Sequence, residues 1–173
     1  SAVLAQAGFF PGSLLDDFYG YETLMGMHPD IKLAGVEMST GGLGHGLSVG
    51  VGMALGARMQ GRGFRTVVML GDGELQEGSN WEAAMAAAHL GLSNLTAIVD
   101  YNKIQQSNHV HEVLALEPLA DKWRAFGWSV RELDGHDMDE IVTALDALPF
   151  SQDGPSLILA HTVKGKGVSF AED

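Results

Sequence analysis

The sequence predicts an α/β fold, a parallel β-sheet covered by helices on both faces. Short apolar segments rich in β-branched residues recur at 66–70, 95–100, 128–133 and 156–161, each bounded by Gly, Pro, Asn or Asp, and read as strands. Helical patterns fill the gaps at 77–90, 118–126 and 137–148, and strand–helix–strand alternation favours parallel pairing with both faces covered. A chain of 173 residues with 46% apolar and 18% charged content is long enough for one real core.

In chain order, the first residues read as the middle of a helix. Residues 9–37 hold Pro11 and Pro29 and little periodicity, so an extended surface loop with one short helix at 14–19 is expected, a segment suited to lining a site. Gly41, Gly42, Gly44 and Gly46 follow as a cluster. The helix over 47–59 is small and apolar nearly all round, the pattern of a buried helix, with Gly50, Gly52 and Gly56 allowing close packing. His89, among alanines, reads as a packed helix residue, and Asp137 after Gly135-His136 is a natural N-cap. No repeat or low-complexity tract interrupts the chain.

Ten basic against twenty-two acidic residues leave a net charge of −12, which argues against nucleic acid or an anionic membrane as partner. An anionic ligand then needs local help, such as a metal. Without cysteine there are no disulfides, thiolate metal sites or cysteine nucleophile, and a cytoplasmic location is expected. The N-terminus lacks a basic signal region, and no apolar run approaches the roughly 18 residues of a membrane span. The chain opens without Met and ends without a terminating element, so one domain over 1–173, a fragment truncated at both ends, is expected.

Chemistry concentrates in Gly71-Asp72-Gly73-Glu74-Leu75-Gln76-Glu77-Gly78, directly after the strand at 66–70, and in Asp100-Tyr101-Asn102 at the end of the next strand. Ligands of open parallel sheets bind beyond the carboxyl ends of strands. A carboxylate, an amide oxygen and a backbone carbonyl suit Mg²⁺ at ~2.1 Å with diphosphate oxygens completing the shell, and Ca²⁺ also takes such donors. Gly73 allows close backbone approach to a phosphate, and the following helix offers its N-terminus. A bare Gly-Asp-Gly is equally an ordinary turn; the spaced Asn102 is what separates the readings. The third glycine of a dinucleotide fingerprint is missing, and Gly165-Lys166-Gly167 lacks the Ser or Thr of a phosphate-binding P-loop.

The stretch from Gly71 through Asn102-Lys103-Ile104 resembles the thiamine diphosphate motif, in wording like that of the transketolase family. Ser39-Thr40-Gly41-Gly42-Leu43-Gly44-His45-Gly46, Ala125-Phe126-Gly127-Trp128, Asp134-Gly135-His136-Asp137 and Thr162-Val163-Lys164-Gly165-Lys166-Gly167 extend the resemblance over nearly the whole chain. It implies that Asp72, Asn102 and the Ile104 carbonyl hold Mg²⁺, with Ca²⁺ or Mn²⁺ able to substitute. It further implies that Gly73 contacts the diphosphate, that Gly41 and Leu43 contact the cofactor rings, and that Lys164 lies near the cofactor, where a cation offsets charge. His28 matches a substrate-pocket histidine that bonds donor hydroxyls, although Met27 stands where the family has glycine. Glu77 matches an acidic residue linking two cofactor sites across a subunit interface, a place where a helix N-terminus also favours a carboxylate. His45 stands where many relatives have glutamine and reads as a polar exchange.

By that resemblance the chain is the diphosphate-binding half of a transketolase, or the N-terminal subunit of a split one. It would move a two-carbon ketol unit between ketose and aldose phosphates, as in the pentose phosphate pathway of carbohydrate metabolism. The activating glutamate would come from a pyrimidine-binding domain or subunit, in a dimer or heterotetramer. The alternatives are a deoxyxylulose-phosphate synthase, a non-catalytic cofactor-binding module and a 2-oxo acid dehydrogenase subunit. The apolar content also predicts an exposed interface in the isolated chain.

Overall fold

The computed structural model describes residues 1–106 and 108–172. They form two compact units, 1–43 and 44–173. In the first, helix α1 (Ala2–Gln6) and a 3₁₀ turn (Gly12–Asp17) pack around buried Phe10, Met25 and Leu33. The short helix expected at 14–19 is this 3₁₀ turn, and the loop is extended but not coreless.

The second unit holds α2 (Gly46–Met59), β1 (Thr66–Gly71), a 3₁₀ turn (Gly73–Gln76), α3 (Gly78–His89) and β2 (Leu95–Tyr101). The pair β3 (Ile104–Gln105) and β4 (Asn108–His109) follows, then α4 (Val110–Leu114), α5 (Leu119–Ala125), β5 (Ser129–Asp134), α6 (Met138–Asp146) and β6 (Ser156–His161). The main sheet runs β1-β2-β6-β5 and every pairing in it is parallel. Central strands β2 and β6 are buried along nearly their whole length, as strands sandwiched between helical layers must be. Edge strand β1 alternates instead.

One face of the sheet packs Val68, Leu70, Ala97, Val99, Leu157 and Leu159 against α2, α3 and α5. Trp81, Trp123, Trp128 and Phe126 interlock there, with Trp123 and Trp128 edge to face at 4.9 Å. On the other face α6 covers Leu133, Ile158 and Ala160. Beyond α6 that face is open, and Val67 and Met69 of β1 are 54% and 66% exposed.

Two helical expectations change. Helix α2 buries only Leu47, Gly50, Ala54 and Ala57, one face at 3- and 4-residue spacing, while Val49 and Met53 stay partly exposed. Gly50 meets β1 closely, whereas Gly52 and Gly56 face open space. His89 is exposed: α3 buries Asn80, Ala83, Ala84 and Ala87, and a residue two past Ala87 points away from that face. Asp137 does cap α6, its Oδ1 accepting from the N–H groups of Asp139 and Glu140.

Candidate functional site

Parallel register places Gly71 beside Asp100, and Asp100 beside Ala160, so the strand ends of β1, β2 and β6 open onto one edge of the sheet. Asp72 leaves β1 at that edge. Its N–H donates to the Asp100 carbonyl at 3.2 Å and its carboxylate starts the 3₁₀ turn, Oδ1 accepting from Gly73 N–H at 2.8 Å. The other oxygen, Oδ2, accepts from Lys103 N–H at 2.6 Å. The turns after β1 and β2 are thereby stitched together through one side chain.

That side chain is only 1% exposed. Burial pushes its carboxyl above the ordinary value of 3.8, the bonds from Lys103 and Gly73 pull it down, and the neighbouring Asp100 carboxylate pushes it up again. Neither aspartate has an ion-pair partner among the described residues. A buried carboxylate beside a second one, with no ion-pair partner among the described residues, is costly in isolation and is the environment that a divalent cation relieves.

Asn102 follows two residues after Asp100. Its Oδ1 accepts from Ile104 N–H at 2.9 Å, and its Nδ2 donates to Asp100 Oδ2 at 3.3 Å. Between them Lys103 holds φ +67°, a left-handed backbone rare for a side chain of this size. A Cβ on Gly73 would lie 2.9 Å from Gln105 Cγ, so the strand-end turn is packed to the limit of a glycine. Gln105 Oε1 is buried with no hydrogen-bond partner among the described residues.

The donor set fits a hard cation. One carboxylate and one amide oxygen belong to the hydrogen-bonded network at this strand edge, the Gln105 side chain packed on Gly73 has its buried Oε1 without a partner among the described residues, and among those residues no group of three His, Cys, Asp or Glu side chains offers a competing site. The long helix does not begin at Gly73. A single 3₁₀ turn intervenes, and α3 begins at Gly78 behind Glu77, whose side chain is exposed and makes no capping bond.

Sequence reasoning passed over the residues that hold this turn. Glu74 accepts from Gly44 N–H at 2.9 Å through Oε1 and from Gly71 N–H at 3.2 Å through Oε2. Asn80 Nδ2 donates to the Glu74 carbonyl at 2.7 Å, and Trp81 Nε1 to the Leu75 carbonyl at 2.8 Å. The turn is thus anchored to the aromatic cluster beneath it. Gly44 sits at φ +82°, where a Cβ would fall 2.6 Å from Glu77 Cβ and from Ser79 Oγ; only glycine fits. The available signal was the carboxylate and amide at short spacings after Asp72.

Lys164 is exposed in the turn after β6, without an ion pair among the described residues. His45 is exposed at the start of α2 and makes no capping bond. His136 Nε2 accepts from Val163 N–H at 2.8 Å, which ties the Lys164 turn to the start of α6.

Within the first unit, His28 and Gly41 are neighbours: a Cβ on Gly41, at φ +118°, would lie 2.9 Å from His28 Cγ. Thr40 N–H donates to the Pro29 carbonyl at 3.1 Å and Ile31 N–H to Ser39 Oγ at 3.0 Å, so the two loops are cross-linked. Met27 is 64% exposed and is not among the positive-φ residues, so this backbone makes no demand for glycine there. Leu43 is 52% exposed.

Residues 13–173 match the family described as "Transketolase, thiamine diphosphate binding domain". An apulose-4-phosphate transketolase subunit of Phocaeicola vulgatus is 44% identical over 169 residues, covering 98% of this chain and 60% of the relative. The 6-deoxy-6-sulfo-D-fructose transketolase subunit SqwG of a Clostridium species is 47% identical over 172 residues, 99% of this chain and 62% of the relative. The chain therefore spans about three fifths of these subunits. Among solved structures, the transketolase of Campylobacter jejuni superposes with a TM-score of 0.87 at 32% identity, over 92% of this chain and 26% of that one. The transketolase of Leishmania mexicana gives 0.87 at 30% identity, over 96% and 27%.

Proposed function

We propose, starting from the fact that the chain belongs to the thiamine diphosphate-binding domain family of transketolases, that it is the diphosphate-binding part of an enzyme transferring a two-carbon ketol unit between ketose and aldose phosphates. Thiamine diphosphate, when bound, supplies the carbanion-stabilising chemistry, and the protein supplies binding, orientation and electrostatics. The observation that carries the reading is Asp72: a carboxylate buried to 1% exposure, held by two backbone N–H groups, with no cationic partner among the described residues.

Asp72, Asn102 and the Ile104 carbonyl are the proposed Mg²⁺ ligands, and Gly73 the proposed diphosphate contact. Asp72 and Asn102 belong to one bonded network at the sheet edge, which supports the assignment. Mg²⁺ is preferred to Ca²⁺ or Mn²⁺ because its partners include diphosphate oxygens. In the first unit Gly41 and Leu43 are assigned to the cofactor rings and His28 to the donor's hydroxyls, with the contact between His28 and Gly41 in support. Lys164 adds positive charge for the diphosphate, and Glu77 is the acidic link between paired cofactor sites.

We read residues 1–173 as one cofactor-binding domain, since the family match runs across both units. The relatives carry the word "subunit" in their names, which supports a partner bearing the pyrimidine-binding domain and its glutamate, in a dimer or heterotetramer. Exposed Val49, Met53, Val67 and Met69 supply apolar surface for such an assembly. The named sugars differ between relatives, an apulose 4-phosphate in one and a 6-deoxy-6-sulfo-D-fructose in another. A ketose or ketose phosphate is accordingly the proposed donor class.

The test is calorimetric titration of thiamine diphosphate with Mg²⁺ or with EDTA, alone and with a pyrimidine-domain partner, followed by a ketol-transfer assay. Magnesium-dependent binding that tightens with the partner and leads to transfer is the expected result. Absence of cofactor binding in both states would reduce the chain to a fold relative.

A further inference from the structure

Asp100 has no place among the proposed ligands, yet it sits at the centre of the bonds around them. Its backbone carbonyl accepts from Asp72 N–H. Its Oδ2 accepts from Asn102 Nδ2 at 3.3 Å, and its Oδ1 accepts from the Thr162 hydroxyl. An ionised carboxylate can only accept, so Asp100 holds the NH₂ end of the Asn102 amide and would repel its oxygen end. Ile104 N–H, donating to Asn102 Oδ1 at 2.9 Å, requires the same orientation from the other side.

Thr162 is itself confined. Its N–H donates to the Tyr101 carbonyl at 3.3 Å, and Val163 N–H next to it donates to His136 Nε2 at 2.8 Å. Gly135, whose N–H donates to the His161 carbonyl at 2.8 Å, presses against the Thr162 methyl so closely that a Cβ there would overlap it. A threonine held by the β2 backbone at Tyr101 and by the loop before α6 at Gly135 presents its hydroxyl in one direction, toward Asp100.

We infer that Asp100 and Thr162 are positioning residues for the cation site: Asp100 fixes the amide of Asn102 so that Oδ1 is its ligand atom, and Thr162 fixes the carboxylate of Asp100. The inference rests on the assignment of Asp72 and Asn102 as metal ligands. A purely structural role accounts poorly for the choice of residue. A second carboxylate raises the cost of the buried Asp72, and an amide or valine would end the strand without that repulsion. Toward a cation the same charge is favourable, and hydrogen-bonded outer partners of this kind typically carry 10- to 100-fold in metal affinity, as an order-of-magnitude expectation.

The test compares Thr162→Val, which keeps the shape and loses the hydroxyl, with Thr162→Ser, which keeps the hydroxyl, in the full-length protein with its partner. Mg²⁺ and then Ca²⁺ are titrated by calorimetry at saturating thiamine diphosphate, and the metal-free proteins are melted in parallel. Thr162→Val should weaken Mg²⁺ by roughly 10-fold or more, and Ca²⁺ by less, because Mg²⁺ demands near-ideal octahedral placement and Ca²⁺ tolerates a displaced ligand. Thr162→Ser should bind within about threefold of the wild type, far short of that loss. A general packing defect would lower both affinities in proportion and the metal-free melting temperature with them. Wild-type Mg²⁺ affinity in Thr162→Val, or equal losses in Val and Ser, overturns this inference alone. A wild-type protein that binds no thiamine diphosphate with Mg²⁺ overturns the site assignment and this inference together.

Discussion

Replacing Asp72 by Asn keeps the side-chain volume and removes the charge, so it separates a ligand from a structural carboxylate. In the wild type each oxygen serves one backbone donor, Gly73 N–H at 2.8 Å and Lys103 N–H at 2.6 Å. An amide has a single acceptor oxygen. It keeps one of these bonds and turns its NH₂ against the other N–H, which loses one charge-assisted bond worth about 1.5–3 kcal/mol. Relief of burial and of the repulsion from Asp100, the two influences that raise the Asp72 carboxyl, works in the opposite direction. The metal-free variant should therefore lose no more than about 2 kcal/mol, or roughly 4–8 °C in melting temperature for a chain of this size. Binding should suffer far more. Loss of a charged metal ligand should exceed the 10- to 100-fold typical of outer partners, which sets a floor of about 2.8 kcal/mol at about 1.4 kcal/mol per tenfold. Calorimetric titration of thiamine diphosphate with Mg²⁺ or EDTA, paired with thermal melts, measures both quantities. Wild-type magnesium affinity in Asp72→Asn, or a collapse of the fold with no metal-specific change, would refute the assignment.

Protonation of Asp72 should be visible in the metal-free chain. Its folded carboxyl lies above 3.8, so its contribution to stability is fully present below that value and is lost as pH rises through the raised folded value. Melts across the acid range should show wild type losing stability relative to Asp72→Asn as pH rises, with Mg²⁺ reversing the trend. Gly50→Ala drives a methyl into Val68 and places it 3.5 Å from Leu95 Cδ1, and should cost about 1–3 kcal/mol; Gly56→Ala, with nothing within 4 Å, should instead gain up to about 1 kcal/mol. Equal melting temperatures for the two alanine variants would contradict the packing of α2 on β1. Lys164→Ala should weaken cofactor binding less than Asp72→Asn, and more at low salt than at high, because an exposed charge is screened; an affinity change independent of salt would remove Lys164 from the site.

The four main strands were legible because each is a short β-branched run between breakers, and β2 and β6, apolar on both faces, announce a sheet buried between layers. Helix α2 departs from its expectation for a physical reason. Alanine and glycine on all sides look buried, yet composition cannot say which face meets the sheet, and only Gly50 among its last three glycines does. The 3₁₀ turn at Gly73–Gln76, α4 and the β3–β4 pair carry no periodicity long enough to detect. Strand ends and spacing mark Asp72 and Asn102 as candidates, and the structure shows them in one bonded network. The pairing of Asp100 with Thr162 could not be picked out, since Thr162 stands 62 positions from Asp100 and nothing local marks it as a partner.

Local chemistry in the chain is enough to determine the parallel α/β class, the absence of cysteine chemistry, the acidic surface and a cofactor motif at two strand ends, because periodicity, composition and turn residues act between near neighbours. Tertiary structure alone decided that Asp72 is buried with no counterion among the described residues, that Lys103 is held at positive φ to reach it, and that β6 delivers Thr162 to Asp100. Those are consequences of strand order β1-β2-β6-β5. Parallel pairing brings together residues remote in sequence, and the field and hydrogen bonds at a strand edge depend on distances that only the closed sheet sets.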